Sequence, residues 1–454
     1  MVYNKTVLDI KFIRENPEQV KQNILNRKVD PAVADVDKLL LLDARKTELQ
    51  LEVEKMRGLK NKLTDELKDE KLRTPEKIEE GKKIKDGIDV LEKEFCEIET
   101  QWQKIMDWIP NMLAPEVPLG KDENNNLEIK AWTPKDGYFS KDQLGLKDFS
   151  KKWMPTFGFD PKDHLEIGVN LGLIDVEQSA KTSGSRFAYL KDDLVLMEYA
   201  LFELLSKKLV KDFKFHPMIV PLLVKERVLY GTSHFPEGRD QVYKIENDFI
   251  EEKQDLFLVG SSEPSLFGYG MDRIFEEKEL PFKMWAFTPC FRSEVGSWGK
   301  DVKGIKRVHQ FDKLEIDCIC KQEQAEEIFE QMLEINRWFL ETLKLPYHQI
   351  LKCSGDSGYQ ASIKQVDTEV WLPSQNEFIE VGTDTNATDY QARRLNIKYQ
   401  DEKGNKKLVN TVNNTGCPMG RMLISILDNY QNADGSVTVP EVLQDYLGKK
   451  IISS

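Results

Sequence analysis

Histidine and cysteine are scarce in this chain, with five and six copies among 454 residues. Cys96, Cys290, Cys318, Cys320, Cys353 and Cys417 are scattered, and no C-x-x-C occurs. That spacing argues against a zinc site or a disulfide framework and suits a reducing, cytoplasmic compartment. Cys318 and Cys320 would share one face of a strand, but two thiols alone make no metal site, and they read as structural. No apolar run reaches the roughly 18 residues needed to cross a bilayer, so no membrane association is expected. The opening MVYNKTVLDIKFIREN lacks an apolar core followed by a small-residue cleavage site, so no secretion signal is expected. Repeats and low-complexity tracts are missing too. So is any overall positive charge: the formal net charge is −13. Over the whole surface this opposes binding to a polyanion, so any nucleic-acid contact has to be local.

What remains is the composition of an ordinary soluble protein, 40% hydrophobic and 31% charged, long enough for two or three domains. Residues 37 to 109 stand apart. Their only glycines are Gly58, Gly81 and Gly87, and their only proline is Pro75. Leu42, Leu49, Met56 and Leu63 recur every seven residues, with Val53 and Leu67 between. After the proline, Ile84, Ile88, Leu91, Phe95, Ile98, Trp102 and Ile105 alternate spacings of four and three. This heptad seam predicts two helices, about 37–70 and 76–109, folded back as an antiparallel coiled coil. Thr74 can cap the second helix and Pro75 suits its first position. Each helix of roughly 33 residues would reach roughly 50 Å. From Lys55 to Lys85, eleven Lys or Arg face seven Asp or Glu, so the tip is about +4. Charge alone favours an ordinary solvated coiled-coil surface over a phosphate-binding tip.

The segment 109–126, IPNMLAPEVPLGKDENNN, reads as a linker. Domains are therefore expected at 1–115 and 116–454. Beyond the linker, 193–210 and 326–343 have helical periodicity, while FHPMIVPLLV, LPFKMWAFTPCF, DTEVWLPS and NEFIEVG read as strands. Strand pairs separated by turns favour an antiparallel sheet with packed helices, an α+β core.

The stretch 291–315, FRSEVGSWGKDVKGIKRVHQFDKLE, looks like two strands around a glycine- and lysine-rich loop. Alternation puts Arg292 and Glu294 on one face, and Arg307, His309, Phe311, Lys313 and Glu315 on one face of the return strand. Guanidinium forks suit phosphate oxygens, a phenyl ring can stack on a purine, and carboxylates can accept from an amine or hydroxyl. Such a floor suits a nucleoside triphosphate with a small amino-bearing ligand. An exposed sheet face with cross-strand ion pairs has the same composition. In 408–431, LVNTVNNTGCPMGRMLISILDNYQ, a short strand runs into Gly416 and Gly420, and Arg421 opens an apolar helix. An arginine there opposes the helix dipole, which a bound phosphate would neutralise.

These stretches, with Pro221 in HPMIVPLLV, resemble motifs 1, 2 and 3 of the class II aminoacyl-tRNA synthetases. DYQARR (389–394), NNT, DNYQ, SGSRFAYL (183–190) and VPEVLQDYLGK (439–449) narrow the resemblance to the seryl-tRNA synthetases, over essentially the whole chain. It implies a class II catalytic core plus an N-terminal coiled-coil arm that grips the tRNA for serine, with the selenocysteine tRNA as a second candidate. It also implies L-serine and ATP as substrates, Mg2+ with the ATP, and a homodimer. Arg292, Ser293, Glu294, Arg307, Val308, Phe311 and Arg421 match ATP-binding positions, Arg292 and Arg421 acting on the phosphates in catalysis. Glu380 and Thr383 match positions that contact ATP and its magnesium. Ser261, Glu263, Arg292, Glu315 and Thr415 match the serine pocket. Two alternatives share this core: a non-catalytic tRNA-binding paralogue, and an amino-acid:carrier-protein ligase. The first would lack the ATP arginines and the second the arm. The chain also departs from the family. Ser261 stands for a threonine, EVGTDTN for E-x-S-S-C-S-N, and GCPMG for a small apolar run; FGYGMDRIF (267–275) is unusual as well. Asp384 would thereby add a carboxylate beside the implied metal.

Overall fold

The structure, a computed structural model, describes residues 8–246, 255–296, 303–358 and 360–453. It divides into two compact units, Leu8–Pro110 and one built from Asn111–Ser454. No helix among the described residues is long and apolar enough to cross a membrane.

The first unit holds α1 (Ile10–Glu15), α2 (Pro17–Asn26), α3 (Val36–Glu66) and α4 (Pro75–Met106). The side chain of Asp35 caps α3 and that of Thr74 caps α4, with Pro75 in its first turn. Leu42, Leu49, Val53 and Leu63 of α3 are buried, as are Ile88 and Ile105 of α4, so the heptad seam is the packed face. Arg45 pairs with Glu94 at 2.8 Å and Arg57 with Glu92 at 2.7 Å, rising numbers meeting falling ones as an antiparallel pair requires. These exposed pairs add little energy each. α3 stops at Glu66 rather than the predicted 70. The chain turns there through a 3-10 segment, Glu70–Leu72, capped by Asp69.

The second unit is built on one sheet of nine strands: β1 (Leu127–Thr133), β2 (Gly137–Tyr138), β3 (His216–Pro217), β4 (Phe282–Phe291), β5 (Gln310–Cys320), β6 (Tyr347–Leu351), β7 (Lys364–Leu372), β8 (Glu377–Thr388) and β9 (Asn410–Pro418). Their order is β2-β1-β6-β7-β8-β9-β5-β4-β3. All neighbours run antiparallel except β3 and β4. The predicted strand through HPMIVPLLV is broken into His216–Pro217 and Leu223–Lys225, because Pro217 and Pro221 carry no N–H for a ladder. Three helices, α5 (Asp193–Lys211), α6 (Ala325–Thr342) and α7 (Met419–Asn429), contribute apolar faces to the main core. There Leu201, Leu205, Met332, Phe339, Leu423 and Ile426 are buried with Leu314, Ile316 and Cys318 of β5. The alternate residues of β5, Lys313, Glu315 and Asp317, turn to the opposite face.

Polar groups are also buried toward the far edge of the sheet. His348 on β6 stands between Glu128 on β1 and Glu369 on β7, with each ring nitrogen 2.8 Å from a carboxylate oxygen. Its ring stacks on Phe378 at 3.6 Å. Burial alone would drive the proton off, but the two carboxylates outweigh it and raise the pKa from 6.5 to about 9. The folded state thus binds this proton more tightly than the unfolded chain. That stability is present below the unfolded value and is lost as pH rises through about 9. Melting temperature should therefore fall as pH is raised from about 7.5 to about 9.5. His348→Leu, which leaves two buried carboxylates facing each other, should cost about 3–5 kcal/mol and abolish that fall. Thermal melts across the range check both outcomes; a wild-type melting temperature flat over it would contradict the assignment.

Candidate active site

The cleft face of β5, β9, β8 and β7 is polar, and two β-bulges decide which side chains it carries. Between β5 and β9 the register steps from Leu314↔Cys417 to Glu315↔Thr415, leaving Gly416 extra. Cys417 can then sit in the core while Thr415, two residues away, faces the cleft beside Glu315. Between β7 and β8 the register steps from Thr368↔Gly382 to Glu369↔Glu380, leaving Val381 extra. Strict alternation would put Glu380 and Thr383 on opposite faces. With the bulge, Thr383 Oγ1 donates to Glu380 Oε1 at 3.3 Å.

Arg292, Glu294, Arg307, Val308, Phe311, Lys313, Glu380, Thr415 and Arg421 line one cleft of about 570 Å³, open to solvent. Contrary to the expectation from alternation, Arg292, Glu294, Arg307 and His309 are not strand residues. The ladder ends at Phe291 and Gln310. Arg292 N still donates to His309 O at 3.0 Å, but Ser293 N is taken by Gln241 O and His309 N by Arg186 O. Those diversions end the strands, and Glu294 adopts a left-handed φ of 50°. Ser293 turns its hydroxyl onto the Asp240 carbonyl at 2.5 Å, away from the cleft residues. Of the glycine-rich loop, residues 297–302 lie outside the described residues.

Three guanidinium groups converge here. Arg292 Nε donates to Gly260 O at 3.0 Å, and its Cζ lies 5.4 Å from the centre of the Phe311 ring. A Cβ at Gly260 would press to 3.3 Å from Arg292 Cγ, so glycine permits that approach. Arg307 lies 3.7 Å from Glu294. Arg421, in the first turn of α7, donates to Glu380 O at 3.0 Å and lies 3.2 Å from Glu380 Oε1. Burial would raise the Glu380 pKa, but Arg421, Lys352 and Arg292 hold it below the ordinary value. Glu380 is therefore ionised. The single Thr383 hydroxyl proton is shared between Glu380 and the nearer Asp367 Oδ1, at 2.8 Å, and Lys352 lies 3.2 Å from Asp367 Oδ2. Two carboxylates and a hydroxyl on one face form an all-oxygen donor set, the chemistry Mg2+ selects, so these residues fit that ion. Asp384 does not belong to this set. Correcting the expectation, it faces α6, where Asn336 Nδ2 is 3.3 Å from its Oδ2 and burial pushes its pKa well up. Gly382 makes room for that contact, since a Cβ there would lie 2.4 Å from Asn336 Nδ2.

The other end of the floor is closed from water. Ser261 Oγ donates to Glu315 Oε2 at 3.1 Å and accepts from Lys313 Nζ at 2.9 Å, and Lys313 also contacts Glu315 directly. Ser261, Lys313, Glu315 and Glu263 are all buried. Burial raises the Glu315 pKa and Lys313 opposes it. Gln391 Nε2 holds Glu263 Oε1 at 2.8 Å, while its Oε1 accepts from Thr411 at 2.6 Å. His234 Nε2 lies 3.9 Å from Glu263; burial first, then Arg292 and Lys313, lower its pKa to about 4 and keep it neutral.

Sequence reasoning assigned no role to Lys313, Gln391, Asp367 or Lys352. Lys313 was legible as a residue two before Glu315, and Gln391 lies inside the quoted DYQARR. Lys352 and Asp367 carry no local signal, since only the β6–β7 pairing brings them together.

Residues 243–430 match the model of the class II tRNA synthetase core domain for G, H, P, S and T. Residues 7–113 match that of the seryl-tRNA synthetase N-terminal domain. The serine–tRNA ligase of Dictyoglomus turgidum is 38% identical over 444 residues, covering 97% of this chain and 98% of that protein. The serine–tRNA ligase of Staphylococcus haemolyticus is 36% identical over 98% of both chains. The solved structure of Pyrococcus horikoshii seryl-tRNA synthetase complexed with ATP is similar at a TM-score of 0.85 and 34% identity, covering 98% of this chain and 99% of that one. A cytoplasmic serine–tRNA ligase from Naegleria fowleri, in complex with AMP, is similar at a TM-score of 0.79 and 27% identity, covering 99% of both chains. An arginine-lined cleft at one end of an antiparallel sheet, a buried carboxylate and hydroxyls at the other, and matches running through arm and core place the chain in the seryl-tRNA synthetase family of class II aminoacyl-tRNA synthetases.

Proposed function

We propose that the protein joins L-serine to the tRNA for serine in two steps. A serine carboxylate oxygen attacks the α-phosphorus of ATP and expels pyrophosphate. A ribose hydroxyl of the terminal adenosine then attacks the seryl carbonyl, and AMP leaves. The carrying observation is the convergence of Arg292, Arg307 and Arg421 on one cleft whose floor ends at the buried Glu315. Arg292 and Arg421 bind the phosphates and spread charge in the transition state. Arg307 adds a third guanidinium, Glu294 with the Val308 backbone orients the base, and Phe311 stacks on the adenine. Catalysis is then positioning plus electrostatics, with no covalent enzyme intermediate. Glu380 and Thr383, backed by Asp367, would hold Mg2+, which neutralises triphosphate charge when bound. Glu315 and Thr415, with Ser261 and Glu263, read the amine and hydroxyl of serine, because size alone discriminates weakly between small amino acids.

On this reading residues 1–115 bind tRNA and 116–454 carry catalysis, and the bend of the arm meets tRNA phosphates with its local charge of about +4. A homodimer accounts for Ile219 at 104% exposure and for the outward Leu196 and Tyr199 on α5, apolar surface that a second copy would cover. Six free cysteines, five of them buried, suit the cytoplasm.

Serine-dependent ATP–pyrophosphate exchange across a panel of amino acids tests the first step, and exchange with another amino acid in preference to serine would overturn it. Arg292→Ala should lower exchange by about 10²–10³-fold; near-normal exchange in that variant would remove Arg292 from the site. Glu315→Ala should raise the KM for serine far more than that for ATP, and equal losses would count against its role. Deleting residues 40–105 should leave exchange in place and abolish tRNA charging. That outcome separates a tRNA ligase from a carrier-protein ligase, which would not need the arm.

A further inference from the structure

Asp317 has no role in the site described so far. It lies two residues beyond Glu315 on β5 with no register shift between them, so both side chains leave the same face of the sheet. It is fully buried, and among the described residues neither of its carboxylate oxygens has a hydrogen-bond partner. Its register partner on β9 is Asn413, also buried, whose Oδ1 is equally unpartnered. Three oxygens shut from water are costly unless Asp317 carries a proton, which supplies one donor to the set, or a positive charge arrives.

The charges around Asp317 point the same way. On its own strand it faces Glu315 and Lys313, and from the helix Glu263–Gly268 it faces Glu263. The β4 neighbour in register is Met284 and the β9 neighbour is Asn413, neither of which titrates. Three carboxyls are thus set against one ammonium, and Lys313 is already committed to Glu315 and Ser261.

We propose that Asp317 is a specificity-determining residue of the amino-acid pocket, a third buried carboxyl one step behind Glu315 that responds to the α-ammonium group of the bound amino acid. This rests on the reading that the Glu315 end of the floor holds serine. In the empty pocket Asp317 keeps its proton, because burial and then the charges of Glu315 and Glu263 push its pKa well above the ordinary value. An arriving ammonium adds one positive charge to a set short of positive charge. The Asp317 O–H bond then breaks, the proton leaves to solvent, and the carboxylate remains to balance the ammonium. Binding releases a proton, so affinity for the amino acid rises with pH until Asp317 is ionised in the empty pocket as well. An α-hydroxy acid of the same size brings no charge, draws no proton out, and is disfavoured.

Calorimetry on the full chain tests this with a non-hydrolysable seryl-adenylate mimic, titrated at about pH 7 in buffers of different ionisation enthalpy. Wild type should release about one proton per site, and the same mimic lacking its amine should release none. Asp317→Asn is isosteric with the protonated acid and equally neutral, so it should fold, bind the mimic more weakly than wild type, and lose the proton release. Asp317→Leu, apolar beside Met284, provides a second variant with the same expected loss. Undiminished proton release in either variant would place the titrating group elsewhere and overturn the proposal. Absence of any binding heat from the wild type would instead sink the serine-ligase reading on which it stands.

Discussion

A charge held away from water must meet an opposite charge or a donor, and on the cleft face of the sheet this requirement organises everything else. At the open mouth of the cleft, where Glu380 keeps 43% of its side-chain surface exposed, it is paired with Arg421 at the start of α7. Asp367 is held by Lys352 and Thr383, Glu315 by Lys313 and Ser261, and Glu263 by Gln391. Such pairs contribute less net stability than an apolar core would, because each ion must first lose its water. The opposite face of the same strands supplies that core, with Leu314, Ile316, Val381 and Cys417 packed under α5, α6 and α7. The sheet thus divides its tasks by face: one face carries the main core, and the other, beside a second apolar cluster around Ile319, Met284 and Phe267, holds charges in fixed positions for a polar ligand.

The separation works only because of two of the sheet's four register shifts, those at Gly416 and Val381. Without Gly416 as an extra residue, Thr415 and Cys417 would share a face. Without Val381, Glu380 could not stand beside Thr383. Both bulges lie at the centre of the site, where they re-aim single side chains and leave the ladders intact on either side. The unusual segment EVGTDTN has a structural reason as well. Gly382 leaves space for Asn336, Asn336 holds Asp384 at 3.3 Å and Asn414 at 3.1 Å, and the set packs against the side of the sheet away from the cleft. The added carboxylate is thereby spent on helix packing.

The arm follows a different rule. It buries a single seam of Leu, Val and Ile between α3 and α4, and the rest of its surface is charged. A two-helix hairpin of this kind is poor at building a core and good at spanning distance, about 47 Å for helices of 31 and 32 residues. Its cross-helix ion pairs are exposed and salt-screened, so they set register more than they stabilise.

The arm was legible almost residue by residue, because heptad spacing, a capping threonine and a first-turn proline are local signals. The helices over 193–210 and 326–343 and the long strands were legible for the same reason, as periodicity sets which face is buried before any partner is known. The charged residues of FRSE, RVHQFDKLE and GRMLISIL stood out because charge in an otherwise apolar strand or at the start of a helix is costly without a purpose. Tertiary structure alone decided the rest. A bulge depends on the partner strand, so that Glu380 and Thr383 share a face could not be read from their spacing of three. Asp384 turned away from the cleft, and Ser293 onto the carbonyl of Asp240, through contacts with residues 48 and 53 positions distant. Lys352 meets Asp367, and Asp317 meets Asn413, only when strands far apart in the chain are laid side by side. The sequence by itself determined which segments are amphipathic and where charge is concentrated. The pairing of strands determined which of those charges meet, because that depends on distance through space and not along the chain.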